Sequence, residues 1–245
     1  MMKSLFEQFE IDIYCIIITR FFDVSITTIT VYLGCLMVIV IGMYKASLYR
    51  ATLIGENNWQ NVGEMIYEFI IDLIIEQVGK PGILFFPFIL TLFLFVLTLN
   101  VMGLVPLSFT VTGQLLVTFT LAITIMIGIT IWGFRIHGIK FLNMFVPSGI
   151  EPWLLPLLVF IEIMSYVLRP ISLAVRLFAN MLAGHLLIHI IGVAAIYLMQ
   201  FYFIGILPWI CVIAFMFLEL GIAFLQAYVF VLLTLIYIAN IINLH

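Results

Sequence analysis

Six polar residues fall on one side of a helix in an otherwise apolar stretch. Glu162, Ser165, Arg169, Ser172, Arg176 and Asn180 are separated by 3, 4, 3, 4 and 4 positions. At about 100° per residue, that spacing stacks side chains along one helical face. Such a stripe in an apolar helix must meet water or protein rather than hydrocarbon. Each ionisable residue placed at the centre of a bilayer costs roughly 2.5–3.5 kcal/mol on insertion scales, so a charged position there signals function.

Arg176 carries most of the chemical meaning. A guanidinium keeps its proton in proteins and offers donors only, so Arg176 is a fixed positive charge and not a link in a proton relay. It needs a carboxylate. Glu162 lies 14 residues upstream, about 21 Å along a straight helix. Glu219, on the following apolar segment, is the other acid nearby in sequence. Two arrangements are open: an Arg176–Glu219 salt bridge that ties a helix pair together, or a carboxylate supplied by another subunit.

A second set of groups sits on a different face. His185 follows Arg176 by nine positions, about half a turn away around a regular helix. His189 shares the face of His185 and reads as an ordinary buried histidine with its hydrogen bonds met. Glu219 and Gln226 are seven apart and share a face of the next segment. An imidazole and a carboxyl group can both take up and release protons, so His185 and Glu219 suit a proton path separate from the Glu162 stripe. Two acid-bearing faces divided by a fixed cation are the layout of a path that must not run straight through.

The elements that hold these groups follow from composition. Of 245 residues, 66% are hydrophobic and 9% charged, and mean hydropathy is +1.34. A water-soluble domain carries about 25% charged residues, so this chain has too few to cover its own surface. Long apolar runs indicate helices, not the alternating strands of a membrane barrel. The net charge of −3 does not suggest nucleic-acid binding. Cys15, Cys35 and Cys211 have neither metal-ligand nor redox spacing, and Cys35 and Cys211, inside apolar runs, read as packed thiols. The fold class expected is an all-α polytopic membrane protein forming a single membrane domain over 1–245.

Its expected layout is an outer-side N-terminus over 1–23 and a span over 24–44. An amphipathic helix over 56–80 should lie at the membrane surface. There Glu64, Glu68, Asp72 and Glu76 form a solvated row opposite Met65, Ile66, Phe69, Ile70, Leu73 and Ile74. Further spans are expected over 83–105 and 114–134, divided by Gly103, Pro106 and Gly113. Two long segments follow, 153–199 and 203–244, with a break near Gln200 to Pro208. A 47-residue helix is about 70 Å long against a hydrocarbon core of about 30 Å, so these helices must be strongly tilted, bent or broken. Lys45, Arg50, Arg135 and Lys140 fall on one side if the spans alternate; by the positive-inside rule that side is cytoplasm or matrix, with the N-terminus outside. The leading MMKSLFEQFEID lacks the Arg-rich, acid-poor look of a transit peptide.

The runs LRPISLAVRLFANMLAGHLL (168–187), LTLNVMGLVP (97–106) and ELGIAFLQAYVFVLLTLIYI (219–238) resemble the signatures of the membrane subunit a (subunit 6) of F-type ATP synthases. The order of histidine before glutamate resembles the mitochondrial arrangement. That resemblance implies roles: Arg176 as the essential arginine, Asn180 as its companion, His185 and Glu219 in the proton-uptake path, Gln226 close to the arginine, Glu162 as the upstream acid of the release path, and Asn100 lining the pore. The role of Arg169 is not transferable. It also implies two offset proton half-channels, a tilted helix hairpin against a ring of c subunits, and further contacts with the peripheral stalk, other membrane subunits, lipid and a dimer of the complex. No cofactor and no metal are implied, and no enzymatic activity of the chain on its own. The implied location is the mitochondrial inner membrane, ahead of a bacterial plasma membrane. Two rival readings stand beside it: a self-contained proton or cation transporter gated by Arg176–Glu219, and a structural membrane subunit of a respiratory complex.

Overall fold

In the computed structural model, residues 13–18, 23–48, 58–105, 109–146, 153–198 and 206–242 are described. The expected break at Gln200 and the first twelve residues lie outside them. Strands β1 (Ile13–Ile18) and β2 (Asp23–Thr27) pair antiparallel ahead of the helices, a feature not anticipated for the N-terminal segment. The rest is helical: α1 (Thr28–Leu48), α2 (Asn58–Gln77), α3 (Phe86–Gly103), α4 (Leu115–His137), α5 (Leu155–Leu198) and α6 (Ile206–Ile242), with short 3₁₀ turns at Lys80–Phe85, Val111–Gly113 and Gly138–Phe145. Five of these helices are long and apolar enough to cross a membrane.

α6 is the central element. Ala223, Ala227, Phe230, Val231, Leu235, Ile238 and Ile241 are buried along it, at the i, i+3, i+4 spacing of one helical face. The small pair Ala223 and Ala227 lets α3 come close. α5 lies along α6 through a narrower seam of Pro170, Leu173, Ala174, Leu177 and Met181. Its opposite side is open, with Phe160, Val167 and Val175 exposed. Such exposed apolar surface is what a lipid-solvated protein presents.

The two C-terminal helices contain 44 and 37 residues, which at 1.5 Å per residue is about 66 and 56 Å. Pro170 sits inside α5. It has no N–H to give to the carbonyl of Tyr166, which relaxes the helix between the two ends of the polar stripe.

α2 is amphipathic, but its apolar side is spent largely on protein. Ile70, Leu73 and Ile74 are buried and Phe69 packs on Phe93, Phe224 and Tyr228. Met65, expected on that side, is 68% exposed, because it stands at the edge of the apolar sector. Glu64, Glu68, Asp72 and Glu76 are all exposed.

α4 ends where Gly138 adopts φ 56°, a left-handed conformation that costs glycine little. The turn that follows folds Phe141 back over Gly133, where a Cβ would come within 2.6 Å of the Phe141 ring. At the same end His137 Nε2–H donates to the carbonyl of Ile241 at 2.8 Å. The last turns of α4 and α6 are thus tied together.

Candidate functional site

The stripe is where the spacing put it. Ser172, Arg176 and Asn180 are exposed on the outer side of α5, and Glu162, Ser165 and Arg169 are half-exposed. Arg176 makes no ion pair or hydrogen bond among the described residues. The Arg176–Glu219 salt bridge left open by the sequence does not form. Among the described residues the ion pair is Arg169–Glu162, at 3.8 Å, with the Arg169 guanidinium also donating to Ser165 Oγ at 3.2 and 3.3 Å.

Glu219, on α6, lies against α5 at Gly184, eight residues beyond Arg176. It is 9% exposed and neither carboxyl oxygen has a hydrogen-bond partner among the described residues. It borders a cavity of about 220 Å³ shared with Asn100, Asn180, Gly184 and Gln226. Asn100 is fully buried and donates Nδ2–H to the carbonyl of Ala223 at 3.3 Å, while its Oδ1 is unpartnered. Gln226 Oε1 is unpartnered as well. Buried polar atoms are nearly always satisfied by protein or by water. A cavity of this size, into whose largely apolar wall Asn100, Glu219 and Gln226 bring unpartnered oxygens, is therefore a place for water.

Gly184 makes this arrangement fit. A Cβ there would overlap the Glu219 carboxylate, so glycine leaves open the space in which the Glu219 carboxyl lies against α5. The next residue, His185, turns the other way and hydrogen-bonds through Nε2 to the carbonyl of Gly103 at the end of α3. The structure thus brings Asn100, Asn180, Glu219 and Gln226 around one cavity. It places His185 beside that cavity rather than on its wall. His189, expected to have its hydrogen bonds met, leaves Nδ1 buried and unpartnered.

Several site residues escaped the sequence reading. Gly103 and Gly184 are recognisable only once the backbone is known. Thr110 and Thr112, in the turn packed against α5, are 1% exposed with unpartnered hydroxyls. Tyr166 could have been found: it is four positions from Glu162 and three from Arg169, on the same side of α5.

A helical membrane protein with an exposed arginine unpaired among the described residues and a buried carboxyl bordering an internal cavity belongs to the class of ion-translocating membrane subunits. Comparison with known proteins specifies which. The family model described as ATP synthase A chain matches residues 25–239. Over 244 residues the chain is 94% identical to "ATP synthase subunit a" of Dictyostelium citrinum and equally to that of Dictyostelium discoideum, with full coverage of both partners. It is 43% identical over 250 residues to the protein of the same description from Neurospora crassa, covering 99% of this chain and 95% of that one.

The chain belongs to the ATP synthase subunit a family. It is a proton-translocating, non-catalytic membrane subunit of the F-type ATP synthase, coupling proton flow to rotation and ATP synthesis. That membership removes the self-contained transporter and the respiratory-complex subunit as readings.

Proposed function

We propose that the chain forms two offset proton half-channels that meet at Arg176, with a ring of c subunits against the outer face of α5. The observation that carries this reading is an exposed guanidinium without a carboxylate partner among the described residues, on a helix of membrane-spanning length. Lipid is a poor neighbour for that charge. A carboxylate delivered by another subunit is a good one.

The two acid groups lie towards opposite ends of the hairpin. Glu162, Arg169 and Tyr166 are near the start of α5, and Tyr166 meets Tyr237 edge-on, four residues before Ile241. Ile241 is bonded to His137, in the basic end of α4 that also carries Arg135. Basic ends face the matrix, so Glu162 belongs to the release side. Glu219 precedes Tyr237 by 18 residues and His185 follows Arg169 by 16, about 27 and 24 Å along their helices. They belong to the outer, uptake side.

Protons enter through His185, Asn100, Gln226 and Glu219 and neutralise the carboxylate of a c subunit. A neutral carboxyl can move into lipid where an ionised one is far costlier, so the ring turns with protonated sites outward. After nearly a full turn the proton leaves past Glu162. Arg176, with Asn180 beside it, favours the ionised ring carboxylate and blocks direct passage. Each 100 mV across the membrane supplies about 2.3 kcal/mol per charge moved.

The setting is the mitochondrial inner membrane, N-terminus outside, with the peripheral stalk, other membrane subunits and a dimer of the complex as further partners. The test is assembly without flux. In membrane vesicles, Glu219→Gln and Glu162→Gln should each leave the chain bound to the ring while slowing proton-driven ATP synthesis at least about tenfold, the scale of a lost proton-transfer group. Unchanged synthesis in both assembled variants would overturn the reading.

A further inference from the structure

Arg169 is the one charged residue of the stripe to which the mechanism above gives no task. Its guanidinium lies over the ring of Tyr237 on α6, 5.7 Å from the centroid. Tyr237 is 6% exposed. Its ring is met edge-on by Tyr166 at 5.5 Å and 79°. Tyr166 is held in turn by Phe145, edge-on at 5.3 Å, and by Thr130 of α4 at 2.7 Å. Because the Thr130 hydroxyl gives its proton to the carbonyl of Met126 at 2.7 Å, the Tyr166 hydroxyl is the donor to Thr130. Three helices therefore fix one aromatic face, and that face carries the cation that pairs with Glu162.

Held this way, Arg169 reaches Glu162 and Ser165 and no further. An unheld arginine has a long, flexible stem, and Arg176 is only seven residues on, about 10 Å along the helix. A second mobile guanidinium near Arg176 would compete for the carboxylate that the ring delivers. A small cavity of about 20 Å³ bordered by Arg169, Pro170, Thr234 and Tyr237 has room for about one water molecule, and it shares no lining residue with the larger cavity at Glu219.

We propose that Tyr237 is a positioning residue: its ring face, braced by Tyr166 and Thr130, parks the Arg169 guanidinium on Glu162, so that the release path presents a paired carboxylate while Arg176 alone meets the ring. This rests on the assignment of Glu162 to the release side.

The test uses the assembled complex in membrane vesicles and measures proton-driven ATP synthesis per assembled complex. Tyr237→Phe keeps the ring and should match wild type. Tyr237→Leu removes it and should lower the rate about threefold to tenfold, the range of a partly desolvated cation–aromatic contact. Arg169→Gln should lower it similarly, and Tyr237→Leu added to Arg169→Gln should cause no further loss. A packing role alone would give losses that multiply. Multiplying losses, a wild-type rate in Tyr237→Leu, or a lowered rate in Tyr237→Phe each overturns the proposal. Tyr237→Phe keeps the shape of the site, so its result stands even if Tyr237→Leu fails to assemble. Failure of the underlying assignment shows separately, as a wild-type rate in Glu162→Gln.

Discussion

At the scale of single residues, the proposed mechanism depends on one charge that is free and one carboxyl that is seated. Arg176→Ala should abolish proton-driven ATP synthesis in vesicles while the subunit still co-purifies with the ring. Arg176→Lys should fail nearly as badly, because an ammonium in a dry setting can give up its proton where a guanidinium does not. Gly184→Ala puts a methyl group where the Glu219 carboxylate lies. Overpacking of this kind costs about 1–3 kcal/mol, relieved here by pushing Glu219 off its seat. Proton flux should fall at least fivefold in the assembled variant, and Gly184→Ala with wild-type flux would show that the carboxylate need not sit there. Arg176, Glu219 and the stripe were legible in the sequence because charge is rare in this chain and helical spacing is regular. Gly184 and Gly103 were not. A glycine among apolar residues says nothing about which side chain will need its space.

At the scale of elements, the apolar runs were legible for an elementary reason: a bilayer-length helix shows as a charge-free stretch bounded by Lys, Arg, Gly and Pro. What packs on what was not. The row of acids on α2 announces an amphipathic helix, yet whether its other side meets lipid or protein depends on Phe93 and Phe224, which belong to α3 and α6. The pairing of β1 with β2 was hidden because the run from Ile13 to Thr27 alternates too weakly to stand apart from its apolar surroundings. The joint between α4 and α6 likewise exists only in three dimensions. His137→Ala removes the bond to Ile241 and should cost about 1 kcal/mol. Gly133→Leu, which drives a side chain into Phe141, should cost about 1–3 kcal/mol. Both are read as a lower midpoint for thermal dissociation of the subunit from the detergent-solubilised complex. Gly133→Leu should show the larger drop, since a bulky clash displaces the whole turn while a lost hydrogen bond at a helix end can be replaced by water.

At the scale of the whole molecule, the chain is half of a machine. Its buried seam runs along α5, and beside that seam Ser172, Arg176 and Asn180 of the polar stripe stand exposed. Reconstituted alone, the subunit should show no selective proton conduction, whereas with the ring it should. The central claim is that Arg176 separates two aqueous dead ends while facing carboxylates that pass on a neighbour. The most direct measurement is passive proton permeability of vesicles holding the assembled complex with the ring cross-linked so that it cannot turn. Locked wild-type complexes should be proton-tight, and locked Arg176→Ala complexes should leak down an imposed gradient. A locked Arg176→Ala complex as tight as wild type, or a locked wild-type complex that leaks, would contradict a barrier made by this guanidinium.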